Sequence, residues 1–231
     1  MAEEEEDEGY LGATPIPGGG VLRLFKEGKD FTLRVQNTDL MNSIAHESED
    51  TLAKLVCSRL THLAEPTVLV GGLGMGFTLA AALKEVGPKA RVIVAELIPG
   101  VVEWNRGLLA DLAGRPLEDP RVSVRVQDIA VSLRAGREEF DGILMDVDNG
   151  PKGLTRRSNN WLYSEDGLGA AYRSLRTHGI LAVWSSSAEE SFAMRLQKLG
   201  FETEEIPVLS RSDEEGDLGE RHTIWLATKL P

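Results

Sequence analysis

Three glycines at alternate positions separate an apolar run from a helical pattern in the stretch TVLVGGLGMG, residues 67–76. They are Gly72, Gly74 and Gly76. Glycine adopts positive φ without strain and lets a ligand come within contact distance of the main chain. The helix that follows begins with N–H groups that have no helical acceptor, and these suit a polar ligand. The stretch predicts a strand, a tight turn against which a ligand lies, and a helix.

The spacing of the glycines narrows the kind of ligand. A dinucleotide fingerprint, G-x-G-x-x-G, started at Gly72 would need its third glycine at position 77, where the chain has Phe77. A P-loop would need Gly-Lys-Ser/Thr at the end of the loop, and that sequence is missing. The remaining pattern, G-x-G-x-G, is associated with ligands of the S-adenosylmethionine type. A tight turn that binds nothing is the alternative interpretation, because a glycine run alone is a weak signal.

Acidic residues end the next two predicted strands, Glu96 after VIVA and Asp128 after VSVRVQ. A carboxylate at the position of Glu96 can accept hydrogen bonds from both ribose hydroxyls of a nucleoside. A carboxylate at Asp128 can accept a hydrogen bond from the adenine amino group. Either acid could instead be a helix N-cap. The series of three strand ends indicates a nucleoside site more specifically than any one of them.

Two further acids, Asp146 and Asp148, follow the β-type run FDGILM at 140–145. Transfer of a carbon group from a cationic sulfur is an in-line displacement, so the protein must align the nucleophile and control its protonation. We expect Asp146 to act as the base or to orient the nucleophile, with Asp148 as the second choice. The alternative is that both acids cap the turn around Gly150 and Pro151.

The elements that carry these residues alternate between strand and helix. We predict strands at 67–70, 91–95, 122–126, 140–145, 179–185, 202–208 and 223–228, and helices near 77–85, 99–112, 129–135, 164–175 and 188–199. This alternation predicts an α/β, Rossmann-like class I methyltransferase fold with a mostly parallel seven-stranded sheet and helices on both faces. The last strand follows a polar loop without an intervening helix, so we expect it to be antiparallel.

The residues before this domain divide into two segments. Residues 1–18 contain an acidic run and a Pro/Gly-rich stretch, which predict a disordered tail and a linker. Residues 19–45 contain two short β-type runs, which predict a small β-hairpin. The catalytic domain is expected at 46–231, and its first helix should begin at about Ser48 and end before Pro66.

Composition excludes several classes of partner. The formal net charge of −12 argues against nucleic acid, since phosphate binding requires clustered Lys and Arg, and it is compatible with a cationic or neutral small substrate. The chain has no apolar run of about 18 residues and no signal-peptide pattern, so we expect no membrane association and a cytoplasmic protein. A single cysteine, Cys57, and scattered histidines predict no metal site.

Several segments together resemble the spermidine synthase family, within the wider class I S-adenosylmethionine-dependent fold. They are VLVGGLGMG, VIVAELIPGVVEWNR, DPRVSVRVQDI, FDGILMDVDNGPKGL and WLY. The resemblance implies that Asp146 faces the reacting sulfonium. It implies this set of nucleoside-binding residues: Gln36, Gly72, Gly74, Gly76, Glu96 and Asp128. It also implies a homo-oligomer, expected to be a dimer, because family members commonly associate through their N-terminal hairpin region.

Three positions depart from the polyamine site of that family. The family usually has Asp at the position of Gly74, a second Asp at the position of Asn149 and Tyr at the position of Ala45. The Asp in the loop holds the amine of decarboxylated S-adenosylmethionine and would repel the carboxylate of the intact donor. The departures favour intact S-adenosylmethionine and methyl transfer to a small-molecule nucleophile, such as an amine. The alternatives are an aminopropyltransferase with a polyamine acceptor and a non-catalytic nucleoside-binding relative.

Four residues are candidates for contact with the acceptor substrate: His46, Asn149, Trp161 and Tyr163. His46 lies between the hairpin and the first helix, where it could be a general base or a substrate ligand. A surface histidine near a helix N-terminus is the alternative interpretation. Trp161 and Tyr163 follow the catalytic segment, and their ring faces could wall an apolar or cationic substrate.

Overall fold

The computed structural model describes residues 9–147, 160–186, 189–209 and 221–231. Asp148 and Asn149, two of the predicted site residues, lie outside the described residues. The described chain forms a four-stranded sheet near the N-terminus and a seven-stranded sheet that carries the remaining strands.

The N-terminal sheet has the strands β1 Tyr10–Pro15, β2 Val21–Glu27, β3 Asp30–Val35 and β4 Thr38–Asn42, paired in that order and antiparallel. The sequence predicted only its two middle strands and assigned residues 10–15 to the tail and linker, which was wrong for β1. Glycine and proline weaken the β signal of YLGATP. The strand forms because its main chain pairs with the edge of β2 and because Thr14 is buried against Gly100.

The main domain alternates helices and strands as predicted. Its elements are α1 Glu47–Cys57, β5 Thr67–Gly71, α2 Phe77–Glu85, β6 Arg91–Glu96, α3 Pro99–Arg106, β7 Val122–Val126, α4 Ile129–Ala135, β8 Phe140–Met145, α5 Glu165–Ser174, β9 Leu175–Ser185, α6 Glu190–Lys198, β10 Phe201–Leu209 and β11 Arg221–Lys229. Short 3₁₀ turns lie at Ser58–Leu60 and Pro116–Glu118. No helix in the described part of the chain is both long and apolar enough to span a bilayer.

The order of the strands in the large sheet is β10-β11-β9-β8-β5-β6-β7. All pairs are parallel except those of β11, which runs antiparallel to both β9 and β10. The chain moves outward from β5 to β7 and then returns to β8 on the other side of β5. The carboxyl ends of β5 and β8 therefore flank the switch point of the topology, where ligands of open α/β sheets bind.

Helices cover both faces of this sheet, because side chains of a strand alternate between its two faces. Val68 and Val70 of β5 pack into one core with α1, α2, α3 and the N-terminal sheet. Leu69 packs into the other core with α4, α5 and α6. The predicted class of fold is confirmed.

Candidate functional site

The turn between β5 and α2 places all three predicted glycines at positive φ: 88° at Gly72, 50° at Gly74 and 89° at Gly76. A Cβ atom at Gly72 would collide with the carbonyl oxygen of Asp146. Gly76 is the residue that precedes α2 and adopts the left-handed conformation. The turn itself therefore requires glycine at these positions.

Gly74 differs from Gly72 and Gly76 because it contacts the N-terminal sheet. A Cβ atom there would come within 2.9 Å of the Sδ atom of Met41, which belongs to β4 of the N-terminal sheet. On the other side, Nδ2 of Asn105 donates a hydrogen bond to the carbonyl oxygen of Gly74 at 2.8 Å. The N-terminal sheet and α3 thus both contact the loop at Gly74.

Glu96 ends β6 and ties that strand to the glycine loop. Its Oε2 atom accepts a hydrogen bond from the backbone N–H of Leu73, and its Oε1 atom accepts one from Ile98, both at 2.8 Å. The residue is 6% exposed, and burial raises the pKa of its carboxyl group against the opposing effect of these N–H donors. Each carboxylate oxygen can accept a second hydrogen bond, so contact with ribose hydroxyls stays a prediction.

Asp128 caps a helix. Its Oδ1 atom accepts a hydrogen bond from the backbone N–H of Ala130 at 2.8 Å, and α4 begins at the next residue. This is the alternative that the sequence left open for Asp128. Its contact with an adenine base stays a prediction.

Asp146 directly follows β8 and is fixed against the glycine loop. Its backbone N–H donates to the carbonyl oxygen of Gly71 at 3.0 Å, and its Oδ2 atom accepts a hydrogen bond from Oγ1 of Thr78 at 2.5 Å. Thr78 lies in the first turn of α2, directly after the loop. Burial raises the pKa of Asp146 to about 6, and the Thr78 hydrogen bond opposes that rise. The acid therefore lies at the switch point with one oxygen oriented by α2.

Glu49 was not predicted as a site residue, yet the charge of Asp146 acts on its carboxyl group. Burial is the larger cause that raises the pKa of Glu49 to about 7, and the charge of Asp146 is the next. The acids of residues 47–50 are typical of an ordinary first turn of a helix. No local signal could have singled out Glu49, because only the packing of α1 against the sheet brings it near the end of β8.

His46 precedes α1 and joins it to α2. Its imidazole ring stacks on the ring of Phe77 with a centroid distance of 3.9 Å, and its Nδ1 atom lies 3.1 Å from Oδ2 of Asp50. These contacts place the start of α1 over the start of α2. Contact of His46 with a substrate stays a prediction.

The predicted aromatic residues contact protein on their ring faces. Tyr163 is 2% exposed, and its hydroxyl donates to the carbonyl oxygen of Val147 at 3.0 Å. It thereby supports the chain just after Asp146 from within the core. The guanidinium carbon of Arg134 lies 3.9 Å from the centroid of the Trp161 ring and covers one face of it.

Gln36 lies one residue beyond the end of β3, in an exposed turn with φ of 54°. The family resemblance implies that Gln36 binds the nucleoside, and that contact stays a prediction. The residue of this hairpin that meets the glycine loop is Met41, at the other side of the turn.

The residues that the structure brings together are thus the glycine loop, Glu96 and Asp146, joined by Glu49. Among the described residues, no group of three or more His, Cys, Asp or Glu side chains could hold a metal ion.

Comparison with known proteins gives a consistent set of relatives. No family model matches the chain. A polyamine aminopropyltransferase of Corynebacterium efficiens is 32% identical over 137 residues, which cover 58% of this chain and 25% of that relative. A polyamine aminopropyltransferase of a Thermoanaerobacter species is 26% identical over 176 residues, which cover 75% of this chain and 59% of the relative. The matched part thus spans from a quarter to about three fifths of these curated relatives.

Solved structures show the same fold. A spermidine synthase from Thermotoga maritima superposes with a TM-score of 0.69 at 18% identity, covering 95% of this chain and 72% of that one. A probable spermidine synthase from Corynebacterium glutamicum gives a TM-score of 0.62 at 16% identity, with 96% and 80% covered. The likeness extends over both sheets.

Proposed function

We propose that the chain is a member of the spermidine synthase-like family and that it transfers an aminopropyl group from decarboxylated S-adenosylmethionine to an amine acceptor, as its similarity to polyamine aminopropyltransferases supports. The observation that supports this most directly is Asp146, a carboxylate with a raised pKa that is fixed at the switch point beside the glycine loop. Methyl transfer, which the missing polyamine-site residues favoured, is the weaker candidate because the curated relatives are named polyamine aminopropyltransferases.

Each residue of the site has a proposed part in the transfer. The glycine loop and Glu96 bind the nucleoside of the donor. Asp146 accepts a proton from the acceptor nitrogen, whose lone pair then forms a bond to the propyl carbon while the carbon–sulfur bond breaks. A pKa of about 6 leaves Asp146 mostly ionised at neutral pH and makes it a better base than an ordinary aspartate. The sulfur leaves as the neutral thioether of methylthioadenosine.

Methyl transfer from intact S-adenosylmethionine remains the second candidate, and Gly74 favours it. No carboxylate stands at this loop position to repel the carboxylate of the intact donor. The Met41 side chain lies against the loop here, and a larger residue at position 74 would require it to move.

Incubation with either donor and a set of aliphatic diamines, followed by mass spectrometry of the products, separates the candidates. An aminopropylated amine together with methylthioadenosine supports the proposal. A methylated amine formed from intact S-adenosylmethionine would overturn it in favour of the second candidate. Binding of both donors without any product would indicate the non-catalytic relative.

Asp146→Asn tests the proposed role of the acid. We expect turnover to fall by at least a hundredfold while methylthioadenosine still binds, because the change removes the base but not the loop. Asp166→Asn is a matched control, since Asp166 is exposed in the first turn of α5. Turnover that survives in Asp146→Asn would remove this residue from the mechanism.

A further inference from the structure

A cavity of about 340 Å³ begins at the amino edge of the large sheet, at the opposite end of the strands from the glycine loop. Its lining includes Thr67 and Arg91, the first residues of β5 and β6, and Ser123 and Arg125 of β7. Thr67 is paired with Arg91 in the parallel register. Ser123 is paired with Ile93, two residues further along β6, so these side chains project from one face of the sheet. The volume lies within the range of about 300–1,000 Å³ that is typical of small-molecule sites.

The helix on this face covers only part of it. Ile129 of α4 packs into one core with Ile93 and Ala95 of β6. Ala95 is 2% exposed, whereas Arg91, at the start of the same strand, is exposed. Because α4 has only seven residues, it leaves the first residues of β6 and β7 open to solvent.

Arg91 brings a positive charge to this cavity. Its Nη2 atom donates a hydrogen bond to Oγ1 of Thr67 at 3.2 Å. In the part of the chain that the structure describes, no carboxylate is paired with Arg91. Asp141, which accepts a hydrogen bond from the backbone N–H of Thr67, is itself paired with Arg176 at 2.5 Å. The guanidinium group of Arg91 therefore keeps donors for an anion.

The other two arginines of the lining are paired to different degrees. Arg121 is neutralised by Asp119 at 2.7 Å, and its guanidinium group also donates to the carbonyl oxygen of Leu83. Arg125 faces Glu139 at 3.6 Å, and both side chains are 38% exposed, so this ion pair contributes little and an anion can replace it. One positive charge thus remains in the lining, although the chain has a net charge of −12.

We propose that this cavity binds a small phosphate ester, separately from the transfer site. A guanidinium group matches two phosphate oxygens with parallel hydrogen bonds, so Arg91 and Arg125 are the main ligands of the phosphate. The exposed hydroxyl of Ser123 donates a further hydrogen bond. A phosphate ester has three terminal oxygens for these donors, whereas a carboxylate has two. The organic part of the ester lies against Ile93 and Pro120, which belong to the apolar part of the lining.

Calorimetric titration of the full chain with glucose 6-phosphate tests the proposal, and glucose serves as the uncharged counterpart. We expect saturable binding of the ester and no binding of glucose. Arg91→Gln should weaken ester binding at least tenfold, and Arg91→Lys, which keeps the charge without the fork of donors, should recover part of the loss. Arg23→Gln is the matched control, because Arg23 is exposed in β2 and the variant loses the same charge elsewhere.

Equal affinity in the wild type and Arg91→Gln overturns the proposal, and so does a wild type that does not bind the ester or that binds glucose equally well. A loss in Arg23→Gln as large as in Arg91→Gln would assign the binding to the overall charge and overturn it too. Saturation with methylthioadenosine should leave the ester affinity unchanged, since displacement would place the ester in the transfer site and contradict a separate cavity. Ser123→Ala removes only an exposed hydroxyl and should weaken ester binding several-fold, which tests the cavity even if Arg91→Gln does not fold. Unchanged affinity in that variant would contradict the proposed phosphate contact.

Discussion

Burial raises the pKa of two neighbouring acids, Glu49 to about 7 and Asp146 to about 6, and the direction of these shifts fixes how they affect stability. Both values lie above those of the unfolded chain. The folded protein therefore binds more protons than the unfolded chain between about pH 4 and pH 7. The stability that these acids contribute is present below about pH 4 and is lost as the pH rises through 6 and 7.

Glu49→Gln should remove much of the loss of stability that occurs as the pH rises through 6 and 7. Near pH 4 the variant and the wild type should have equal free energies of unfolding, because Glu49 is protonated in both states. At pH 8 the variant should be more stable by about 2–3 kcal/mol, because the pKa of Glu49 is raised from 4.5 to about 7 and each pKa unit corresponds to about 1.4 kcal/mol. Thermal unfolding followed across this pH range measures the difference. A difference that does not change with pH would contradict the raised pKa.

Thr78→Val tests the hydrogen bond that opposes the burial-induced rise in the pKa of Asp146. Without the Thr78 hydroxyl, the pKa of Asp146 should increase further, so a smaller fraction of it is ionised at neutral pH. We expect the acidic limb of the kcat/KM profile to move upward by about one pH unit and the rate at pH 7 to fall about twofold, with a larger fall at pH 6. Thr78→Ser keeps the hydroxyl and should behave as the wild type. An equal loss of rate at every pH would indicate a structural effect instead.

Site residues could be predicted from the sequence where the signal for their position lay next to them in the chain. Glu96 and Asp146 could be placed at strand ends because each directly follows its own apolar run. Glu49 could not be linked to Asp146, since their approach depends on α1 lying across β8. Tyr163 carried an aromatic signal, but its burial behind Val147 follows from the core and not from its neighbours in the chain.

At the scale of elements, the glycine loop depends on contacts as well as on backbone conformation. Gly72→Ala would force a side chain into the left-handed region and against the carbonyl oxygen of Asp146. We expect the free energy of unfolding to fall by about 2 kcal/mol or more, with loss of methylthioadenosine binding. Gly87→Ala is the control, because open space surrounds that position. Urea denaturation of both variants provides the comparison, and equal stability of the two would contradict this account.

Gly74→Asp tests how the loop selects its donor. Aspartate tolerates the left-handed conformation better than most residues, and the flexible Met41 side chain can move to admit it. We expect the ratio of affinities for decarboxylated over intact S-adenosylmethionine to increase at least tenfold, because the new carboxylate attracts an amine and repels a carboxylate. Calorimetric titration with both donors measures the ratio. Gly74→Asn has the same size without the charge, and an equal change in that variant would exclude an electrostatic cause.

Elements were predictable where their own side chains specified them. The central strands β5 and β6 carry the apolar runs VLV and VIVA, and β11 was expected to be antiparallel because a polar loop precedes it without a helix. β1 lacks such a run, since its side chains are mostly exposed. Its conformation comes from main-chain pairing with β2. The side chains of β1 alone give no sequence signal for that pairing.

At the scale of the whole molecule, the N-terminal sheet contacts the glycine loop and also exposes apolar side chains to solvent. Met41 of β4 reaches the glycine loop, whereas Tyr10, Leu11 and Val21 remain exposed on β1 and β2. Exposed apolar side chains on an edge strand are typical of a surface that pairs with another chain. The dimer implied by the family resemblance stays a prediction, to be checked by light scattering.

The net charge of −12 should also influence how an acceptor reaches the site. An excess of negative charge attracts an ammonium ion over distances near the Debye length, and salt screens that attraction. We expect KM for a diamine to rise several-fold between about 0.05 and 0.5 M salt, while affinity for uncharged methylthioadenosine stays constant. Because Asp146 is partly buried, its proposed contact with the amine should resist screening better than the long-range field. The salt dependence should therefore persist in Glu49→Gln, and its disappearance in that variant would assign the whole effect to the site.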